Sequence, residues 1–185
     1  MQLSAAEFDQ WEQTQCDDQI YELINGEVCA VSLNAYASMM GTYVSFLIGR
    51  FVLEHKLGWL TVADGGFQVG EERYAPDVAF VRHERQRRPE RTGYNPIPPD
   101  LAVEIISANT AREQELLRHK LAHYLSVGTV VLIINSVTEA VELHAPGQPP
   151  LVGDASSRIT FGQLLPGFTL DLQAVFAHAR DQLAD

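Results

Sequence analysis

Two short apolar segments each carry one carboxylate, and they are the part of the sequence best suited to chemistry. Residues 75–81 read APDVAFV and include Asp77; residues 100–107 read DLAVEIIS and include Glu104. Both segments are rich in β-branched residues and almost continuously apolar, which predicts strands covered on both faces. Because side chains alternate along a strand, each carboxylate shares one face of its strand with apolar residues.

A divalent cation is the simplest partner for such a pair of carboxylates. Burying one unpaired carboxylate costs several kcal/mol or forces it to take up a proton. Two carboxylates on neighbouring strands also repel each other. Hard oxygen ligands of this kind suit Mg²⁺ or Mn²⁺. The sequence therefore predicts a metal site that includes Asp77 and Glu104.

Lys120 is the third residue that could take part in this chemistry. It lies four residues after Leu116 and four before Tyr124, on the apolar face of a predicted helix over 110–127 or at its edge. From there an ammonium could orient a water or stabilise charge that develops at phosphorus. Alternatively, Lys120 could pack its stem and keep its head in water. Taken alone, the pattern favours this second, snorkelling interpretation.

The surrounding elements predict one α/β domain over residues 1–185, with a mixed sheet between helices. An Asn-Gly pair between apolar runs at 21–31 predicts a hairpin. The other expected elements are helices over 3–15, 36–56, 110–127 and 171–183, and strands over 59–63, 67–69, 130–135 and 140–144.

Composition narrows the class of protein. The net charge of −11 argues against broad coating of nucleic acid but leaves room for a local basic patch. No apolar run approaches the roughly 20 residues of a membrane span. The acidic N-terminal segment does not resemble a signal peptide. Cys16 and Cys29 form no disulfide framework, so a cytoplasmic protein is expected.

Two further patterns could bind ligands. The segment 82–91 holds five of the eleven arginines, including Arg85, Arg87 and Arg88, and follows the Asp77 strand. We expect it to leave the sheet near the metal, where it could bind phosphates; a solvated loop with internal ion pairs explains it equally well.

His119 and His123 have the i, i+4 spacing of helical zinc ligands but lack an intervening glutamate, so two solvent-facing histidines are the favoured interpretation.

Five segments in order resemble the Uma-type family of restriction-endonuclease-like proteins, within the PD-(D/E)XK nuclease superfamily. They are YELINGE at 21–27, APDVAFV at 75–81, PDLAVEIIS at 99–107, the spacing Lys120-x-x-x-Tyr124-Leu-x-x-Gly-Thr, and LPGF at 165–168. The resemblance spans about residues 11–176. It implies a restriction-endonuclease-like fold, with a central mixed sheet of four or five strands flanked by helices.

The sequence departs from the superfamily pattern at Ile106, which stands where the superfamily has its lysine. Uma-type members place that lysine on the next helix, which matches Lys120.

The resemblance implies a Mg²⁺-dependent endonuclease acting on DNA, with a homodimer as the common assembly. Asp77 and Glu104 would hold the metal, with the Ile105 carbonyl and waters. Lys120 would position the attacking water, and Glu22 matches an additional acidic position of many such sites. A domain that keeps this fold only to bind nucleic acid or protein is the alternative, and a zinc-binding accessory protein is a third.

Overall fold

The computed structural model describes residues 1–16, 19–31, 34–107 and 110–182. Within these ranges the helices are α1 (Ala5–Glu12), α2 (Ala35–Glu54), α3 (Ala111–Ser126) and α4 (Leu172–Asp181). The strands are β1 (Tyr21–Ile24), β2 (Glu27–Ala30), β3 (Gly58–Val62), β4 (Phe67–Val69), β5 (Glu72–Tyr74), β6 (Val78–Arg82), β7 (Leu101–Ile106), β8 (Val130–Asn135), β9 (Val141–His144), β10 (Leu151–Gly153), β11 (Arg158–Thr160) and β12 (Thr169–Asp171). No helix in the described part of the chain is both long and apolar enough to cross a membrane.

The centre of the fold is a six-stranded mixed sheet in the order β10-β9-β8-β7-β6-β3. Strands β7 and β8 pair in parallel, and the other neighbours pair antiparallel. Helix α3 connects the two parallel strands, as a parallel connection requires a crossover. The predicted mixed sheet between helices is confirmed; it is wider than expected because β10 extends the β8–β9 hairpin.

Each face of this sheet is covered by a different layer. Helices α2 and α4 pack on one face, where α2 contributes buried apolar residues at helical spacing: Met40, Val44, Ile48 and Val52. The other face packs against α3 and a four-stranded antiparallel sheet in the order β2-β1-β5-β4. The central strands are therefore buried on both sides, which explains their nearly continuous apolar sequence.

The β1–β2 hairpin brings the second sheet to the site. Its two turn residues, Asn25 and Gly26, have φ of 52° and 75°, the left-handed values that an Asn-Gly turn tolerates. Helix α1 packs on this sheet through Phe8 and begins with a capping box between Ser4 and Glu7. The hairpin prediction is confirmed, and α1 is shorter than the predicted 3–15.

Several other predicted boundaries differ from the structure by one or more residues. Strand β6 begins at Val78, so Asp77 lies just before it; Pro76 has no N–H to donate to a ladder, which favours a start after the proline. Helix α2 ends at Glu54, and His55 is its C-cap. Helix α4 begins after its N-cap Asp171, while its predicted end at Leu183 lies outside the described residues.

Candidate active site

Strand pairing brings Asp77 and Glu104 to the same end of the six-stranded sheet. Strands β6 and β7 run antiparallel with Val78 opposite Val103, so the start of β6 lies beside the end of β7. Asp77 Oδ2 accepts a hydrogen bond from the Ile105 N–H at 2.6 Å. Glu104, next to Ile105, is buried on the α3 side of the sheet. The two carboxylates that the sequence singled out therefore lie in one site.

Lys120 completes this site from α3. Its Nζ lies 2.8 Å from Glu104 Oε1 and 2.9 Å from both Glu104 Oε2 and Glu22 Oε1. The Lys120 residue is only 7% exposed. The snorkelling interpretation is therefore wrong: the ammonium points inward because two buried carboxylates satisfy its charge and its hydrogen bonds.

Glu22 reaches the site from a different sheet. It lies on β1, and its Oε1 accepts hydrogen bonds from the Ala75 N–H at 2.8 Å and from Lys120. The Ala75 bond connects the second sheet to the segment that leads into Asp77. The position that the family resemblance indicated thus lies in the same charged cluster, although the residue pattern of β1 alone gives no reason to single it out.

Two tyrosines that sequence pattern does not assign to a site also belong to it. The Tyr124 hydroxyl donates to Glu104 Oε1 at 3.0 Å. Lys120 Nζ lies over the Tyr74 ring, 5.5 Å from the ring centroid. Both side chains are fully buried. The sequence does contain a signal for Tyr124, because a residue four positions after Lys120 lies on the same helix face. Tyr74 carries no comparable signal.

The cluster has more negative than positive charge. Glu22, Asp77 and Glu104 contribute three carboxylates and Lys120 one ammonium, which gives a formal charge of −2. Burial raises the pKa of Glu104 to about 7; Lys120 lowers that pKa, while Glu22 and Asp77 raise it. Burial also raises the pKa of Asp77, against the lowering effect of the Ile105 N–H.

Lys120 itself stays protonated. Burial lowers the pKa of its ammonium, but Glu104 and Glu22 raise it by more, so the pKa ends above its ordinary value. An ammonium held in this way can donate hydrogen bonds and stabilise negative charge. It cannot serve as a general base near neutral pH.

The cluster lines a cavity of about 200 Å³ that also includes Cys29, Ile106 and Leu117. Within the described ranges, no three His, Cys, Asp or Glu side chains converge as a metal site. The donors that the cavity offers to a cation are instead the carboxylates of Asp77 and Glu104; Ile105, whose carbonyl the family resemblance indicated, also lines the cavity. Asp77 Oδ1 forms no hydrogen bond with a described residue, and Glu104 Oε2 bonds only Lys120 among them, which leaves lone pairs for a cation. Such an oxygen set fits Mg²⁺ or Mn²⁺.

The arginine-rich loop lies at the other end of the sheet. Asp77 lies just before the start of β6 and Arg82 at its end, five residues or about 16 Å apart along the strand direction. Buried Asp100 ties the base of the loop down through Arg82 at 2.8 Å and Arg85 at 3.4 Å. The expectation that this loop leaves the sheet near the metal is wrong. The role of Arg85, Arg87 and Arg88 in binding nucleic acid stays a prediction.

The histidines of α3 do not form a zinc site with other described residues. His123 is half-buried, and its Nδ1 lies 2.7 Å from the Tyr74 hydroxyl and 3.7 Å from Glu72 Oε1. His123 is therefore hydrogen-bonded to Tyr74, the tyrosine whose ring lies under Lys120 Nζ. The expectation that His123 simply faces solvent is wrong.

Comparison with known proteins agrees with this fold. The family described as "Uma2: Putative restriction endonuclease" matches residues 5–173. A crystal structure of a putative nuclease belonging to DUF820, from Anabaena variabilis ATCC 29413, superposes with a TM-score of 0.78 at 17% identity, covering 93% of this chain and 98% of that one. No curated protein matches the sequence. The family match spans most of the chain, so the protein belongs to the Uma2 family of restriction-endonuclease-like proteins.

Proposed function

We propose that this protein is a metal-dependent endonuclease that hydrolyses phosphodiester bonds in DNA. The observation that carries the proposal is the cluster of buried Glu22, Glu104 and Lys120 with partly buried Asp77, whose formal charge of −2 one divalent cation would balance. An excess of buried negative charge is costly for a merely structural element. Membership of the Uma2 family supports the same reaction class.

Asp77 and Glu104 are the residues that would hold the cation, together with the Ile105 carbonyl. The chemistry that a bound Mg²⁺ supplies at such a site is polarisation of a phosphoryl oxygen and a lower pKa for the attacking water. The Ile105 N–H fixes one oxygen of Asp77, and Tyr124 fixes one oxygen of Glu104. These bonds hold both carboxylates in place before substrate arrives, as precise catalysis requires.

Lys120 and Glu22 would act on the substrate and the water. Because the Lys120 ammonium stays protonated, it donates hydrogen bonds to the attacking water or to a phosphate oxygen and stabilises the added negative charge. Glu22 shares one oxygen between Lys120 and the Ala75 N–H, which leaves its other oxygen to accept a proton of a water in the cavity.

The test is cleavage of supercoiled plasmid DNA in millimolar Mn²⁺ or Mg²⁺. Wild type should nick or linearise the plasmid, and Asp77→Ala, Glu104→Ala and Lys120→Ala should each lose most of that activity, because the three side chains act as one unit on one phosphate. Arg50→Ala, which removes an exposed arginine of α2, is the matched control and should cut like wild type. Cleavage that survives Lys120→Ala would remove Lys120 from the mechanism.

One observation favours a second candidate, a non-catalytic domain that binds nucleic acid or protein. Lys120 already neutralises part of the charge of Glu104 and Glu22 without a metal, as a structural ion pair would. Under this alternative, metal has no effect on stability, and no nucleic acid is cut under any metal condition.

The homodimer that the resemblance implies stays a prediction, which sedimentation of the purified protein tests.

A further inference from the structure

Three surface cavities meet along one end of the six-stranded sheet. The central one is the cavity of the charged cluster. A second cavity, of about 450 Å³, shares Asp77 with it and extends toward α2; a third, of about 320 Å³, shares Ile106 and Leu117 with it and extends along α3. We name these side cavities the α2 arm and the α3 arm.

The arms follow the strand ends in order. The α2 arm reaches Val62 at the end of β3, the central cavity lies where β6 starts and β7 ends, and the α3 arm reaches Asn135 at the end of β8 and Glu142 on β9. In the sheet the corresponding order is β3-β6-β7-β8-β9. The α2 arm lies on the face of the sheet that α2 covers and the α3 arm on the opposite face, so the path through the three cavities passes over the strand ends, with the charged cluster in its middle. We call this path the groove.

We infer that this groove holds one strand of nucleic acid across the charged cluster, with the α2 arm and the α3 arm binding the nucleotides on either side of the reacting phosphate. The inference rests on the proposed function. Four strand spacings of about 4.8 Å give a groove of about 19 Å. At about 3.4 Å per stacked nucleotide, that length matches about five or six nucleotides.

The α3 arm combines an apolar floor with polar groups at its rim. Its floor includes Ile106, Leu117 and Ile133, which can pack against a base or a sugar. Arg118 is exposed at the rim, where a guanidinium can bind a phosphate in a forked geometry. The Asn135 side-chain oxygen accepts from the N–H groups of Val137 at 3.0 Å and Thr138 at 2.9 Å.

Those two bonds determine what Asn135 offers a ligand. They hold the amide oxygen toward the backbone of the following turn, so the two amide protons are the groups left to meet a base or a phosphate. Asn135 therefore acts as a fixed donor, and Arg118 acts as a charged one.

The α2 arm is lined by hydroxyl groups. Ser38, Thr42 and Ser45 lie at helical spacing on α2 and all border this cavity. The Thr42 and Ser45 hydroxyls now bond the carbonyls of Ser38 and Thr42, at 2.9 and 2.8 Å. A hydroxyl rotates easily, so each can turn its proton to a phosphate oxygen when a strand is present.

Charge makes this groove dependent on a cation. Arg118 adds one positive charge, but the cluster has a formal charge of −2. Three further carboxylates border the groove: Asp64 in the α2 arm, Glu113 in the central cavity and Glu142 in the α3 arm. Polyanionic substrate is therefore repelled from the middle of the groove until a divalent cation binds there. The groove should bind oligonucleotides in the presence of a divalent cation and only weakly in EDTA.

Binding of fluorescent oligonucleotides tests the inference directly. Anisotropy is measured in Ca²⁺, which uses the same oxygen ligands in a looser geometry, with single strands of two to twelve nucleotides and with a duplex. Wild-type affinity should rise with length to about six nucleotides and then level off. Arg118→Ala should weaken binding about tenfold, as expected for loss of one hydrogen bond to a charged group.

Matched controls exist for both arms. Arg50→Ala removes an exposed arginine on the outer part of α2, and Ser126→Ala removes a hydroxyl with the same kind of bond to a helix carbonyl as Ser45. Neither should change affinity, whereas the double variant Ser38→Ala/Thr42→Ala should weaken it several-fold. Equal melting temperatures for all variants would show that each is folded.

Each outcome decides between the groove and the nuclease. If wild type cuts DNA while Arg118→Ala and Ser38→Ala/Thr42→Ala bind like wild type, the groove is wrong and the proposed function stands. If the two arm variants bind weakly but wild type never cuts, the result supports nucleic-acid binding in the groove and contradicts the proposed nuclease activity. Wild type that neither binds nor cuts any oligonucleotide overturns both. Tighter binding of single strands than of duplex, or the reverse, shows whether the groove takes its strand from single-stranded or from double-stranded nucleic acid.

Discussion

Lys120 and Glu104 form a buried ion pair between α3 and the central sheet, with Nζ 2.8 Å from Oε1. The same ammonium also bonds Glu22, while Asp77 bonds the backbone of Ile105. The cluster of three carboxylates therefore contains one positive charge, which Glu104 and Glu22 bond directly. The stability of the protein should respond whenever one of these charges is removed or balanced.

Asp77→Asn should stabilise the metal-free protein by on the order of 1 kcal/mol, because asparagine keeps the acceptor for the Ile105 N–H but removes one repelling charge. In Mg²⁺ the gain should shrink or reverse, since wild type then regains its ligand. Denaturant unfolding in EDTA and in Mg²⁺ measures both values. Asp64→Asn, which removes an exposed carboxylate, is the control. A less stable Asp77→Asn in EDTA would mean that Asp77 is a structural residue.

The stability of the metal-free protein should fall between about pH 5 and pH 8. The pKa of Glu104 is about 7 in the folded protein and 4.5 in an ordinary environment. Between these two pH values the Glu104 carboxyl therefore holds a proton in the native state but not in the unfolded state. Its contribution to the free energy of unfolding is complete below pH 4.5 and is lost as the pH rises through about 7. Glu104→Gln should flatten this slope in EDTA. Identical slopes for the two proteins would show that Glu104 titrates normally.

Tyr124→Phe should lower both stability and activity. It removes a hydroxyl that donates to Glu104 at 3.0 Å, a bond to a charged group worth about 2 kcal/mol. Loss of that donor should also raise the pKa of Glu104 further and weaken metal binding. Calorimetric titration with Mn²⁺ at pH 6.5 and pH 8 measures the effect, which should be larger at the lower pH. An affinity equal to that of wild type at both values would leave Tyr124 only a packing role.

Divalent cations should raise the melting temperature of wild type. A cation at about 100 times its Kd adds about 2.7 kcal/mol to the free energy of unfolding, because it binds the native state only. Asp77→Ala should abolish the shift, and Arg50→Ala should keep it. A melting curve of wild type that does not change across a titration with Mg²⁺ and Mn²⁺ would contradict the metal site.

Arg87→Ala/Arg88→Ala should reduce the salt dependence of DNA binding if the arginine loop touches the backbone. The slope of log K against log salt falls by about one for each phosphate that the protein no longer neutralises. The melting temperature should hardly change, since both side chains are exposed. Because the loop lies about 16 Å along β6 from Asp77, cleavage of short oligonucleotides should not change. An unaltered slope would exclude the loop from the interface.

Local pattern and the family resemblance were enough to predict much of the fold. The apolar runs identified β7 and β8, and the Asn25-Gly26 turn identified the β1–β2 hairpin. The cost of burying carboxylates singled out Asp77 and Glu104, which the structure places at the same end of the sheet; that they bind a metal stays a prediction. These features depend on neighbouring residues, so the sequence carries them directly.

The parts that could not be predicted depend on the packing of distant elements. Nothing in the spacing of Lys120 shows that Glu22, on another sheet, would supply its second partner. The spacing places Tyr124 on the same helix face as Lys120, but it does not show whether the ring is only part of the core or whether the hydroxyl also bonds a carboxylate, as it does with Glu104. The predicted position of the arginine loop was wrong because a strand carries its first and last residues to opposite ends of a sheet.

The most direct measurement of the central claim is the anomalous scattering of a crystal soaked in Mn²⁺. The account predicts one strong peak in the central cavity, bonded to Asp77 and Glu104 at about 2.0–2.3 Å, as hard oxygen ligands give, and no such peak in crystals of Asp77→Asn. Manganese bound elsewhere on the surface, or a peak that is the same in Asp77→Asn, would contradict it.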